Sequence, residues 1–126
     1  MGTFRQRIEL GAGTDGPFEA MEALVDTGAT YTLAPRSVLE RLGVSAVDRQ
    51  TFVLAQGTRA DFDVGVAFIR IDGRTRPSTV VFGEEGADAL LGAVTLQELG
   101  LGVDPVGRRL VQVRGYLVGI RPEGRP

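Results

Sequence analysis

The apolar run Ala23, Leu24, Val25 delivers the chain to Asp26, Thr27, Gly28, Ala29 and Thr30, so that a carboxylate ends a hydrophobic segment and opens a tight turn. The 126-residue sequence has no histidine, no cysteine and no lysine, and its 14 cationic side chains are all arginine. A histidine-dependent triad, a thiolate nucleophile, a Schiff-base lysine, a P-loop lysine and the usual zinc ligands are therefore excluded. Carboxylates, hydroxyls and backbone groups remain, which points to general acid–base chemistry by carboxyl groups, with Asp26 as first candidate. Taken alone, an Asp before Thr-Gly commonly does no more than cap its own turn.

The elements that must position Asp26 are short and β-rich, with 18 glycines and 6 prolines spread between them. Arg5 to Leu10 and Phe18 to Val25 flank Thr14, Asp15, Gly16 and Pro17, a turn cluster, and form a first hairpin that leads into the Asp26 loop. Pro35 at a first helical position, the spacing of Val38, Leu39 and Leu42, and a stop at Gly43 predict a short helix just beyond that loop. Thr51 to Ala55 and Ala60 to Ile71 read as a long hairpin about Gln56, Gly57 and Thr58, with Phe62, Val64, Val66 and Phe68 alternating. After an Asp72-Gly73 turn, Thr75 to Phe82 returns as a strand whose early part Pro77 limits to an edge or irregular position. Glu84, Glu85 and Asp88 read as a solvated connection rather than a metal site.

Ala89, Leu90 and Leu91 then run into Gly92, Ala93 and a second short helical pattern through Val94, Leu96 and Leu99 that stops at Gly100. This outline repeats Ala23 to Val25, Gly28, Ala29 and the first helix, and suggests two related strand–loop–helix halves of which only the first carries an aspartate. A turn over Asp104 to Gly107 precedes a strand at Leu110 to Val113; Tyr116 to Ile120 is a further apolar run, and Arg121 to Pro126 reads as a tail.

The length and a hydrophobic content of 43% suit one domain with one core. The formal charge of -2 gives no general attraction to nucleic acid. No stretch approaches the ~20 apolar residues that span a bilayer, and Met1 to Leu10 lacks the apolar core of a signal peptide. A soluble, cytoplasmic protein without nucleic-acid or membrane partners is expected.

At this point the residues amount to a resemblance. Leu24, Val25, Asp26, Thr27, Gly28, Ala29 is similar to the signature of the retropepsin-like (retroviral-type, clan AA) aspartic proteases, and Leu90, Leu91, Gly92 before a short helix resembles that family's second landmark. The likeness spans about residues 5 to 113, leaving 114 to 126 as an extension of a single domain over 1 to 126. It implies an all-β acid-protease barrel with one or two short helices, forming one half of a C2 homodimer. It also implies an aspartic endopeptidase that takes a peptide or protein in extended form, with no metal and no organic cofactor. One Asp26 cannot deprotonate a water and protonate a carbonyl at once, whereas an isologous dimer pairs it with its symmetry mate. Two carboxylates about 3 Å apart repel by roughly 5 kcal/mol at an effective dielectric near 20, so the pair shares one proton.

By the same resemblance Thr27 donates its hydroxyl across the two-fold, and Gly28 lets backbone approach substrate. Gln56, Gly57 and Thr58 form the tip of a flap over the bound peptide, and Ala29, Thr30 and Leu91 contact it. Ala29 brings no hydroxyl to the ionised pair, which implies a mildly acidic optimum. The chain departs from retroviral members where they carry acidic residues after the alanine and an arginine after the second glycine; it has Thr30, Tyr31 and Ala93 there, so the ion pair joining those elements is missing. In those relatives the termini build the dimer sheet, a role open here to Leu110 to Val113 or Tyr116 to Ile120 beside Arg5 to Leu10. Asp26 to Thr30 also resembles the phosphate loop of actin-like sugar kinases, but that fold needs two large domains. A stronger alternative is a non-catalytic dimeric module that uses the same fold for peptide binding or assembly.

Overall fold

The computed structural model describes residues 3–119. Its elements in order are β1 (Arg5–Gly11), β2 (Glu19–Val25), β3 (Thr32–Pro35), α1 (Arg36–Leu42), β4 (Ala46–Val53), β5 (Arg59–Ile71), β6 (Arg74–Gly83), β7 (Ala89–Leu91), α2 (Ala93–Glu98), β8 (Leu101–Asp104) and β9 (Arg109–Gln112). Strands β1, β2, β7, β3, β6 and β5 follow one another in hydrogen-bonded order, and β1 pairs again with β5, which closes a six-stranded barrel. Closure leaves no free edge around the ring. β4 hangs from the outer part of β5 as a hairpin arm, and β8 with β9 forms a separate two-stranded sheet.

Alternation explains the barrel wall. Ile8, Leu10, Val25, Ile69, Val80 and Leu91 point inward and, with Leu39, Leu96 and Leu99 from the helices, make one apolar cluster. β5 is long enough, at 13 residues, to serve two structures. Its end pairs with β1 from Glu9↔Arg70 to Gly11↔Phe68, while its beginning pairs with β4 from Val53↔Arg59 to Ala46↔Gly65. The changeover is marked by a register shift between Ala46 and Asp48, and by Gly65, where a Cβ would lie 2.5 Å from the Ser45 carbonyl oxygen.

The two sequence halves meet at the centre. β2 and β7 lie parallel with Ala23↔Ala89, Leu24↔Leu90 and Val25↔Leu91 in register, the same residues that correspond in the internal repeat. Pro77 sits opposite Phe68, in the part of β6 that precedes its pairing with β3, so it does occupy an edge. Three expectations need correction. Pro35 is not in the first helical turn: with ψ of 139° it stays extended, pairs with Gly83 and ends β3, a strand too short to show a period. The hairpin arm begins at Ala46 instead of Thr51, because β4 is exposed on both faces and offers no apolar alternation to read. The chain after Gly100 also makes a strand, β8, and β9 ends at Gln112. Tyr116, Leu117 and Val118 are exposed and belong to no strand; Ile120 and the expected tail over 121–126 lie outside the described residues.

Arginines fasten the outside. Arg70 on β5 makes a two-pronged contact with Glu9 on β1, at 2.9 and 3.1 Å, and stacks 3.9 Å from the Phe18 ring centroid. The hydrogen bond from Arg70 holds the Glu9 carboxyl below its usual range. Folding therefore binds a proton at Glu9 less readily than the unfolded chain does. The contact stabilises fully above the ordinary carboxylate range and is lost as pH falls through the lowered value. Glu9→Gln is expected to melt below the parent at pH 7, with the gap closing as the pH is taken below about 4. A gap of constant size across that range in thermal melts would contradict this account.

Candidate active site

Asp26 is positioned by both central strands. Its backbone N–H donates to the Leu91 carbonyl at 3.1 Å, extending the parallel β2–β7 pairing into the loop. The chain then turns back on itself: the Ala29 N–H donates to the Asp26 carbonyl at 3.1 Å and the Gly28 N–H to the Asp26 Oδ1 at 2.9 Å. This is the self-capping geometry of a turn aspartate, and it leaves the half-buried carboxylate's other oxygen available to the groove. A Cβ on Gly28 would stand 3.2 Å from Oδ1, so any side chain here would crowd the acid.

Beyond the turn, the loop is stitched to the second half. Ala93 and Val94 N–H groups donate to the Ala29 and Thr30 carbonyls at 2.8 and 3.0 Å. Underneath, the Thr32 and Thr95 hydroxyls meet at 2.7 Å, Ser78 joins Thr95 at 2.7 Å, and the Gly92 N–H donates to the Thr32 oxygen at 3.1 Å. All three hydroxyl residues are buried, and no buried side-chain nitrogen or oxygen among the described residues lacks a partner. Backbone bonds and this hydroxyl chain thus join the Asp26 loop and β3 to α2 and β6. Gly92 makes the joint possible, since a Cβ there would lie 2.5 Å from the Tyr31 carbonyl carbon.

A groove of about 710 Å³ opens in front of Asp26, Gly28, Ala29 and Thr30, roofed by residues 50–55 of the hairpin arm. Its apolar lining comes from Tyr31, Leu33, Phe52, Phe62, Val81 and Leu90, and among the described residues Asp26 is the one charged residue along it. Tyr31 meets Phe52 edge to face with centroids 6.0 Å apart, and Phe52 meets Phe62 at the same distance. A smaller cavity of about 180 Å³ lies on the other side of the loop, between Asp26, Thr27, Thr3, Phe4, Val25, Val103 and Pro105. Asp26 stands between the two spaces.

The root of the arm is fixed from outside as well. Asp63 on β5 takes hydrogen bonds from Arg36 at 2.6 Å and Arg49 at 3.0 Å, which hold its carboxyl below the usual range, Arg36 being the larger cause. The acidic connection contributes too: Glu85 accepts from the Ser37 hydroxyl at 2.7 Å and the Ser37 N–H at 2.9 Å, satisfying a donor at the start of α1. Among the described residues no group of three or more His, Cys, Asp or Glu side chains is placed to hold a metal ion.

Of the residues singled out in the sequence, the structure brings Asp26, Gly28, Ala29 and Thr30 together at the groove and sets Thr27 on its far side. Gln56, Gly57 and Thr58 are exposed at the tip of the arm, where the Leu54 N–H donates to the Thr58 carbonyl at 2.7 Å and Gly57 has φ of 91°; they do not line the groove of this single protomer. Leu91 is a correction: it is fully buried, because alternation along β7 turns it into the barrel and turns Leu90 toward the groove. Phe52 and Phe62 were legible in principle, as two rings on facing strands at similar distances from the Gln56-Gly57 turn. Thr32, Ser78 and Thr95 carried no signal, since their contact joins three distant elements.

Thr95→Val keeps the shape of the side chain and removes two buried hydrogen bonds, with an expected cost of about 1–3 kcal/mol. Ser78→Ala leaves the Thr32–Thr95 contact and should cost less. Urea unfolding of both variants checks the order, and equal stability of Thr95→Val and the parent would show that the hydroxyl chain contributes nothing.

The family model described as gag-polyprotein putative aspartyl protease matches residues 16–98 of this chain. No curated protein matches the sequence. Among solved structures, the solution structure of the simian foamy virus (mac) protease is similar with a TM-score of 0.54 at 19% identity, over 75% of this chain and 92% of that one. The EIAV protease complexed with the inhibitor HBY-793 is similar with a TM-score of 0.55 at 18% identity, over 87% and 93% of the two chains. At these identities the structural likeness is one of fold.

Proposed function

The chain belongs to the gag-polyprotein aspartyl protease family and has the retropepsin-like barrel, and on that premise we propose that it is an aspartic endopeptidase working as a homodimer through Asp26 of each protomer. The observation that carries the reading is the placement of Asp26: a carboxylate fixed by the Gly28 N–H at the floor of a roofed groove, at the protomer's own margin beside Thr27.

In the dimer a water lies between Asp26 and Asp26 of the partner subunit. The ionised carboxylate takes a proton from the water as its oxygen attacks the peptide carbonyl carbon, and the protonated one gives its proton to the carbonyl oxygen. Collapse of the tetrahedral diol breaks the C–N bond as the now ionised carboxylate takes a hydroxyl proton from the diol and the other carboxyl gives its proton to the departing nitrogen, which leaves the pair with one proton again. Thr27, exposed at the loop's crown, reaches across the two-fold to hold the partner loop, while Gly28, Ala29 and Thr30 offer backbone groups to an extended peptide. Gln56, Gly57 and Thr58 close over that peptide as the flap tip and exclude water. No residue of this site calls for a metal or an organic cofactor. A non-catalytic peptide-holding module on the same fold is the competing reading.

The test is a mass-spectrometric digest of a diverse peptide library at pH 5 and pH 7 with the native protein and Asp26→Asn. Cleavage by the native protein that disappears in Asp26→Asn, with the dimer retained in sedimentation, is the expected result. An intact native dimer that cuts nothing makes the binding-module reading the better one. With Ala29 in place of a hydroxyl residue, the rate is expected to peak in the mildly acidic range, and a maximum well below pH 4 would contradict that. Because each protomer holds half of the dyad, specific activity should also fall on dilution through the measured dimer dissociation constant; a flat profile would rule out a shared site.

A further inference from the structure

A second space, of about 540 Å³, lies at the start of β6, between the hairpin that joins β5 to β6 and the small β8–β9 sheet. Val81, which lines the groove, stands roughly 16 Å further along the strand from Arg76. The two walls of this space differ in chemistry. Arg74 and Arg76 project from one face of β6, about 6–7 Å apart along the strand, and both line it. Leu101 of β8 and Leu110 of β9 make the other wall, with Ile71 and Leu99 buried beneath. Elsewhere on the barrel arginine is matched with acid: Arg5, Arg36, Arg41, Arg49 and Arg70 each reach a carboxylate. Among the described residues no carboxylate lies within ion-pair distance of Arg74 or Arg76, although Asp72 in the turn borders the same space. Arg74 donates to the Leu99 carbonyl at 2.9 Å, which holds its guanidinium at the end of α2, and Arg76 donates to the Thr75 carbonyl at 3.3 Å. Both are exposed, on the part of β6 that precedes its pairing with β3.

We propose that this space docks an extended acidic segment of a partner protein, in which two carboxylates two residues apart flank one apolar residue. Alternate side chains of an extended chain point to opposite sides, and those on one side repeat at the spacing of the two arginines. Both carboxylates therefore meet Arg74 and Arg76 while the residue between them turns to Leu101 and Leu110. A guanidinium carries five N–H donors, so the bond to Leu99 leaves Arg74 free to take a carboxylate as well. Two neighbouring cations without counter-charges repel each other, and the pair of acids removes that repulsion. A basic segment is rejected, and an uncharged one gains the leucine contact alone. The space shares no lining residue with the Asp26 groove, so the docking goes beyond the endopeptidase reading and does not depend on it.

The experiment titrates short peptides with a Glu-Leu-Glu core, and with Gln-Leu-Gln, Glu-Ser-Glu and Lys-Leu-Lys cores for comparison, into the isotope-labelled full chain carrying Asp26→Asn, so that no peptide is cut. Amide shifts locate the contact and calorimetry gives the affinity. Glu-Leu-Glu is expected to move the amides of residues 71–76, 101 and 110–112 and to leave those of 26–31 and 50–55 in place. It should bind about tenfold more tightly than Gln-Leu-Gln, more tightly than Glu-Ser-Glu, and less tightly as salt is raised; Lys-Leu-Lys should not bind. Arg76→Gln is expected to weaken Glu-Leu-Glu by about three- to fivefold and to leave Gln-Leu-Gln unchanged. Arg76→Lys, which keeps the charge and loses the two-pronged geometry, should fall between, and it reads the same contact if Arg76→Gln fails to fold. Equal binding of Glu-Leu-Glu and Gln-Leu-Gln would overturn the docking site. So would shifts confined to the Asp26 groove, an unchanged affinity in folded Arg76→Gln, or no binding of any peptide.

Discussion

The structure depends on the parallel seam between β2 and β7. Each of these strands alone is a short apolar run, and neither could hold a loop still. Side by side and in register, they place the two sequence halves back to back, and the seam's next hydrogen bond is the one that fixes the Asp26 backbone to Leu91. Regular secondary structure holds a side chain more precisely than a free loop does, and Asp26 takes its position from two strands at once. The hydroxyl chain of Thr32, Thr95 and Ser78 extends the same logic one layer deeper. It ties α2, β3 and β6 together beneath the loop with neutral groups that fully satisfy one another, avoiding the desolvation cost of a buried ion pair.

Outside the barrel, charge does the fastening, and arginine suits that task. The guanidinium can bind a carboxylate with two parallel hydrogen bonds while its flat face lies on an aromatic ring, as Arg70 does between Glu9 and Phe18; an ammonium group does not combine the two in this way. Arg36 repeats the pattern between Asp63 and Phe82, with its carbon 5.0 Å from the ring centroid. These pairs are partly exposed, and each is individually modest. Their effect lies in where they sit: Arg36 and Arg49 grip the hairpin arm from outside at Asp63, while Tyr31 meets it from inside at Phe52. The arm is gripped from outside near its root at Asp63 and met from inside nearer its tip at Phe52, and residues 55–58 are exposed.

Much of this was legible before any coordinates. The Asp-Gly turns and the helix stops at Gly43 and Gly100 mark the turns and both helices, and the alternation of Phe62, Val64, Val66 and Phe68 marks β5 as a strand but not its inward face, since past Gly65 it is Ala67, Ile69 and Ile71 that enter the core while Val66 is exposed. The internal repeat even anticipates which residues pair across the seam. What stayed hidden is non-local or lacks a period. β3 is four residues long and exists because β6 and β7 flank it; β4 has no buried face to alternate. Three consecutive apolar residues in β7 do not say which of them faces inward; Leu91 is core, and it is Leu90 that lines the groove. The aromatic wall and the hydroxyl chain unite residues up to 63 positions apart in sequence, and no window along the chain contains them.

The internal repeat carries one more consequence. Continued by one residue, the register that pairs Val25 with Leu91 sets Gly92 opposite Asp26. Gly92 is packed so tightly on Tyr31 that not even a methyl group fits, so any side chain facing Asp26 across the seam, an aspartate's included, would break the joint between the two halves. The second half thus offers a strand and a helix like those around the site, but no acid where the register meets Asp26. Within the seam, a carboxylate facing Asp26 is closed off by steric exclusion at a single α-carbon.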